Sequence, residues 1–274
     1  MSHLHIIGIL DDGWAGLGDA ARQALGEARL VIGVGRTLDL VRLHLTADCA
    51  VRDMDGALTQ SPAWIAEALE AGQPVAVLAT GDPLCHGIAS YLLGKLPFAP
   101  ATVLPAPSTL QIACARFQRP WQDLAIASCH SKDAGEWQLG ATPDHGLYPL
   151  MRSIAQHPRV FAFTSPDNNP ARLARALVAA GYGEDTRLSV ACRLQRPDEA
   201  LYPDLTPAQA AELDFPDPSV VLIERAAAPG QPAFGLEDDE YQQRAPDKGL
   251  ITKQEARALS LAKLRLKPDA VVWD

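Results

Sequence analysis

The chain has 274 residues, 47% of them hydrophobic and 21% charged, a balance with enough Val, Ile, Leu and Ala for a core that excludes a disordered or collagen-like protein. Its formal charge of −9 weighs against a nucleic-acid partner. The densest apolar runs, Val75 to Ala79 and Val220 to Ile223, are strand-sized, which excludes a membrane span, and the opening Met1-Ser2-His3-Leu4-His5 lacks a secretory signal, so a cytoplasmic address is expected.

Leu4 to Leu10 reads as a strand broken by Asp11-Asp12-Gly13, Ala20 to Leu30 recurs at helical spacing, and Val31 to Val34 reads as a second strand. This βαβ opening implies a parallel sheet covered by helices. Ser61-Pro62 reads as an N-cap with proline at the first helical position, ahead of an apolar stripe that Gly72 closes. Val75 to Ala79 is a buried strand, Thr80-Gly81-Asp82-Pro83 a turn, and Leu84 to Leu93 a helix capped by Asp82. Thr102 to Leu104 is a strand, and Ser108 with Gln111 forms a capping box for a helix toward Phe117. The pattern then restarts: strands at Leu124 to Ser128 and Val160 to Thr164, a helix from Asn169-Pro170 through Ala180, strands at Leu188 to Cys192 and Val220 to Glu224. The expected organisation is an N-terminal α/β lobe over 1–117, a C-terminal α/β lobe over 118–228, a linker over 229–248 and a separate piece over 249–274. Residues 131–147 read as a long surface loop. The last piece differs in charge, +3 over residues 243–274 against −12 before them. In it Thr252 and Glu255 suggest a second capping box, and Ala270 to Asp274 begins a strand.

Chemistry concentrates at two turns. Gly81 lets a ligand approach the backbone and sits where a strand meets a helix, the carboxyl edge at which α/β proteins place small molecules. Pro105 to Thr109 offers hydroxyls and free helix amides to a carboxylate or ribose oxygen. An ordinary capped turn accounts for either motif taken alone. Neither Gly8 to Gly13 nor Gly33-Val34-Gly35 completes a dinucleotide fingerprint. Five cysteines, at 49, 85, 114, 129 and 192, form no C-x-x-C pair and no metal-ligand spacing, so no metal site is expected.

Taken in order, a loop after the first strand, Thr80-Gly81-Asp82-Pro83 followed by Gly87, and Pro105 to Thr109 resemble the tetrapyrrole methylase family, the class III S-adenosylmethionine-dependent methyltransferases. Ile7 to Gly18, Ala28 to Gly33 and Ser128-Cys129-His130 carry the likeness toward its precorrin-6Y methylase branch, over about residues 4–225. Residues 249–274 resemble the beginning of the Rossmann-like methyltransferase domain fused behind the bifunctional members. The fold class implied is α/β: a two-lobed tetrapyrrole methylase fold with a cofactor cleft between the lobes, plus a truncated start of that Rossmann-like domain. The family's chemistry implies S-adenosyl-L-methionine as cofactor, contacted by Thr80, Gly81, Asp82, Ser108 and Thr109, with Thr164 and Ser165 from the second lobe. It implies a corrin precursor as substrate, contacted by Asp11, His86, His130 and Lys132, with methylation at carbon 5, and a homodimer. His130 is the candidate catalytic base, with His86 as the alternative histidine for that role. Methylation at carbon 15 with decarboxylation belongs to the second domain and is expected to be absent. The first loop, Leu10-Asp11-Asp12-Gly13, departs from the Gly-Pro-Gly run of many relatives, and Ser131-Lys132 replaces the Gly-Arg that follows the histidine in the nearest branch. Lys132 keeps a cation there without a bidentate fork. Two other readings compete: a methyltransferase of another substrate class on the same fold, acting on RNA or on a modified histidine, and a non-catalytic tetrapyrrole-binding module.

Overall fold

The computed structural model describes residues 3–131, 133, 135–226, 252–266 and 272. The first sheet is entirely parallel, in the order β3-β2-β4-β1-β5, built from β1 (Leu4–Ile9), β2 (Leu30–Gly33), β3 (Ala50–Asp53), β4 (Val75–Thr80) and β5 (Ala101–Leu104). Side chains alternate across β1 and so feed two cores. Leu4 and Ile6 meet Ile65 of α3 (Ser61–Glu70) and Leu92 of α4 (Ile88–Lys95) on one face. Ile7 and Ile9 meet Leu25 of α1 (Asp19–Glu27) and Leu38 of α2 (Gly35–Asp39) on the other. All of these side chains are almost wholly buried, each contributing about 1.5–3 kcal/mol of hydrophobic stabilisation.

Two local expectations fail for physical reasons. Ser61 is not an N-cap: Gln60 takes that position, and the Ser61 hydroxyl donates to the Leu58 carbonyl at 2.7 Å from inside the helix. The helix expected from Leu84 starts only at Ile88, because Pro83 to Gly87 turns on itself, with His86 at φ 53° and Ala89 N bonded to the Pro83 carbonyl at 3.0 Å.

The second sheet is mixed, in the order β6-β7-β10-β8-β9. It comprises β6 (Ala125–Ser128), β7 (Arg159–Phe163), β8 (Thr186–Cys192), β9 (Ala200–Leu205) and β10 (Ser219–Arg225). β6 and β7 are parallel, while β10 runs antiparallel between β7 and β8. One face carries α6 (Tyr148–Gln156), α7 (Pro170–Ala179) and α8 (Pro207–Ala211) over a core with Leu150, Leu173, Leu177, Val190 and Val221. The other face is covered by α5 (Thr109–Phe117), whose Leu110, Ala113 and Cys114 pack on Phe161, Ala191 and Leu222. By packing, α5 therefore belongs to the second sheet, and the chain passes between lobes at Pro105–Ser108 rather than after Phe117.

Residues Met1–Arg225 form one compact unit and Ala226–Asp274 another. Within the latter, α9 (Gln254–Leu264) has Lys253 as N-cap with no side-chain cap, so the expected Thr252 capping box does not form. The linker 229–248 lies outside the described residues, as does the closing strand apart from Val272. Among the described residues no helix is long and apolar enough to cross a membrane.

Candidate active site

Because β1 lies between β4 and β5, the turns that follow these three strands meet at one edge of the first sheet. The fit is tight. A Cβ on Gly8 would lie 2.2 Å from the Gly81 carbonyl oxygen and 2.4 Å from the Ala106 nitrogen, so backbone packs on backbone there. Gly81 has φ +70°, a conformation that suits glycine, and its N–H donates to the Ile9 carbonyl at 3.0 Å. Asp82 closes the turn rather than a helix: its Oδ1 accepts from Leu84 N at 2.9 Å. Gly87 holds the far side, where a Cβ would stand 2.3 Å from the Pro83 carbonyl oxygen. In the third turn the capping box forms as the spacing predicts. Ser108 Oγ accepts from Gln111 N at 3.3 Å, and Gln111 Oε1 accepts from Ser108 N at 2.8 Å.

The second lobe faces these turns with the end of β7 and the start of β10. Thr164 Oγ1 donates to the Ser219 carbonyl and lies 2.9 Å from Ser219 Oγ. His130 Nε2 bonds the Thr164 carbonyl oxygen. That oxygen only accepts, so Nε2 carries the proton and, in a neutral ring, Nδ1 is left as an acceptor. His86 from the first lobe lies against Phe163 of the second, ring centroids 5.2 Å apart.

Between the lobes is a cavity of about 230 Å³, several times the roughly 30 Å³ share of one water, so it takes part of an organic ligand. Asp11, Thr80, Asp82 and His86 line it from the first lobe, with Ser108 and Thr109 where the chain crosses between the lobes. His130 and Thr164 face them, with Phe163, Leu194 and Val220 supplying apolar wall. A mainly apolar cleft with a few convergent polar groups is the usual form of a small-molecule site.

Two candidate residues lie outside this lining. Gly81 shapes its turn through its left-handed backbone and its bond to the Ile9 carbonyl. Ser165 serves the loop behind the cavity, where its hydroxyl donates to the Cys129 carbonyl at 3.3 Å and accepts from Asn168 N at 3.1 Å. Lys132 falls outside the described residues. Buried Asn168 completes that loop, its amide donating to the Cys129 and Ser131 carbonyls at 3.1 and 3.2 Å. Burial pushes the Cys129 thiol up to about 11, as befits an inert structural cysteine. Burial, with the Asp82 carboxylate nearby, also raises Cys85, which lines the cavity. Among the described residues no group of three or more His, Cys, Asp or Glu side chains is arranged to hold a metal.

Sequence reasoning missed Arg36, Arg196, Phe163, Leu194 and Ser219 at this site. None carries a local motif. Arg36 is the second residue of a five-residue helix, and Arg196 lies in a loop between β8 and β9.

A two-lobed α/β fold with a cleft at the carboxyl edge of its parallel sheet defines a small-molecule enzyme architecture. The comparisons specify it: residues 3–231 match the family described as Tetrapyrrole (Corrin/Porphyrin) Methylases, and the chain belongs to that family. It is 32% identical over 271 residues to a precorrin-6Y C(5,15)-methyltransferase [decarboxylating] of Sinorhizobium sp, a match covering 99% of this chain and 61% of that protein. It is 26% identical over 161 residues to the cobalt-precorrin-7 C(5)-methyltransferase of Salmonella typhimurium, covering 59% of this chain and 70% of that one. The fold is that of the crystal structure of the methyltransferase CobJ, with a TM-score of 0.65 at 18% identity over 83% of this chain and 95% of that one. The chain spans about six tenths of the length of the precorrin-6Y relatives it matches.

Proposed function

We propose that this chain is an S-adenosylmethionine-dependent C-methyltransferase that acts on a corrin precursor of the precorrin-6Y or precorrin-7 type, at carbon 5, in cobalamin biosynthesis. The observation that carries the reading is the convergence of the Thr80–Gly87 and Pro105–Thr109 turns on one cleft, opposite His130 and Thr164. The carbon-5 assignment is supported by the Salmonella relative, a C(5)-methyltransferase by name, and by the first half of the longer relative's name.

The cleft fits the cofactor's chemistry: hydroxyls for ribose and carboxylate, apolar wall for a base and, of its two carboxylates Asp11 and Asp82, the latter to favour a cationic sulfur. S-Adenosylmethionine supplies an electrophilic methyl group. The protein's task is then to align donor and acceptor and to exclude water. Thr80 of the first lobe, with Ser108 and Thr109 at the crossing between the lobes, would hold the donor, while Phe163 and Leu194 would keep the opposite wall dry. His130 Nδ1, set by the Nε2 bond to the Thr164 carbonyl, takes the proton released by the methylated ring. No nucleophilic side chain is needed. A homodimer forms part of the proposal on the family's resemblance alone.

The test is incubation with a precorrin-7-type substrate and methyl-labelled S-adenosylmethionine, followed by mass spectrometry and location of the label. One label at carbon 5 is expected. No transfer, together with no binding of S-adenosylhomocysteine by calorimetry, sinks the reading in favour of a non-catalytic module.

A further inference from the structure

At the mouth of the cleft one carboxylate is shared by two guanidinium groups from opposite lobes. Asp11, in the turn after β1, gives Oδ1 to Arg36 Nη1, and its Oδ2 accepts from Arg196 Nε at 3.1 Å. Arg36 also donates from Nη2 to Thr80 Oγ1 at 2.9 Å. All three charged side chains line the cavity, with 38%, 20% and 28% of the Arg36, Asp11 and Arg196 side chains still exposed, so solvent or a ligand reaches them.

Arg196 is deliberately held. Its loop carries two left-handed non-glycine residues, Arg193 at φ 50° and Gln195 at φ 64°. Such conformations persist only where the surroundings over-determine them. Arg193 N donates to the Pro218 carbonyl at 2.8 Å and Arg193 Nε to the Asp217 carbonyl at 2.9 Å. Gln195 N donates to Glu199 Oε2 at 2.6 Å, and Glu199 is itself clamped by Arg116. The backbone on the N-terminal side of Arg196 is thus held at both left-handed residues, and Arg196 lines the cleft. The cluster is +1 in a chain of −9, and the other carboxylate of the cavity, Asp82, is engaged by its own turn.

We infer that Asp11 is an internal stand-in for a ligand carboxylate, and that Arg36 and Arg196 form an inter-lobe clamp taken over by a ring-borne carboxylate of the substrate. The inference rests on the proposed function and adds to it the group that is recognised. Guanidinium forks match carboxylates bidentately, whereas Asp11 divides its two oxygens between two cations and satisfies neither fork. A carboxylate entering the cleft supplies the missing acceptor and draws the lobes onto the ring.

The experiment uses two corrin probes, cobyrinic acid, whose side chains end in carboxylates, and cobinamide, the same ring with those groups amidated. Wild-type protein is expected to bind the acid more tightly. Arg196→Gln lowers affinity for the acid by about tenfold or more, the loss of one charge-assisted bond, and leaves the amide unchanged. Arg196→Lys falls between, and Asp11→Asn tightens the acid by removing its competitor. Equal effects of Arg196→Gln on both rings, weaker binding of the acid by Asp11→Asn, or no binding of either ring to the wild type overturns the clamp. Thermal melts of each variant separate loss of fold from loss of the clamp. S-Adenosylhomocysteine titration of the wild type tests the methyltransferase reading independently, since its failure leaves the contrast between acid and amide intact.

Discussion

Gly8→Ala tests the arrangement of the three turns. The added Cβ would stand 2.2 Å from the Gly81 carbonyl oxygen and 2.4 Å from the Ala106 nitrogen, against an ordinary contact of 3.4–4 Å, so a gap of more than 1 Å must open. Both obstacles are backbone, in the turns that follow the two strands flanking β1, and neither yields by a side-chain rotation. Overpacking of this kind costs about 1–3 kcal/mol, and the backbone origin of both clashes places this substitution near 3 kcal/mol. For a folded unit of this size that lowers Tm by roughly 6–12 °C. Two further alanines calibrate the result. Gly81→Ala meets its nearest neighbour at 3.4 Å and has room, so it carries mainly left-handed strain of about 1–2 kcal/mol. Gly94→Ala, within α4 and with nothing within 4 Å, stabilises by about 0.5–1 kcal/mol. The assay is thermal denaturation followed by circular dichroism at one scan rate. A Gly8→Ala protein that melts with the wild type, or above Gly81→Ala, refutes the steric argument.

Other expectations follow from single contacts. Asn169→Ala removes the side-chain oxygen that accepts from Arg172 N at 2.9 Å, and the loss of this cap costs about 1 kcal/mol in urea denaturation. Burial, reinforced by His3, depresses the His5 pKa below its ordinary 6.5, so the unfolded chain binds more protons and stability falls as pH drops below that value. The slope from this residue is at most ~1.4 kcal/mol per pH unit, and His5→Gln flattens a denaturation series between pH 7 and 5. In the native protein a thiol reagent is expected to label half-buried Cys49 and Cys85 and to spare buried Cys114, Cys129 and Cys192. Saturating S-adenosylhomocysteine protects Cys85, which lines the cavity, and not Cys49; equal labelling of both with the ligand present would contradict the placement of the cofactor.

What was readable from the sequence is what short-range physics controls. The apolar runs of β1, β4, β8 and β10, the Ser108–Gln111 capping box and the Asn169-Pro170 helix start each depend on residues a few positions apart. Part of the cavity lining was legible for the same reason, since Thr80, Asp82, Ser108 and Thr109 belong to compact turn motifs. Edge strands were not. β3 is mostly exposed, and β9 carries Pro203 and Asp204, so neither shows a hydrophobic pattern. Nor does a local pattern indicate that α5 packs on the second sheet rather than the first, which depends on the complementarity of Leu110 and Cys114 with Phe161 and Leu222.

The sequence by itself determined the α/β class, the two turns that line the cavity and, through its motifs, the family. Only the tertiary structure decided the strand order β3-β2-β4-β1-β5, which brings turns about 70 and 95 residues from Asp11 to its side. It alone set Asp11 between Arg36 and Arg196, 25 and 185 residues away. The physical reason is range: capping and periodicity act within a few residues of chain, whereas a charge pair across two lobes exists only once both sheets are packed and the backbone of each loop is held in place.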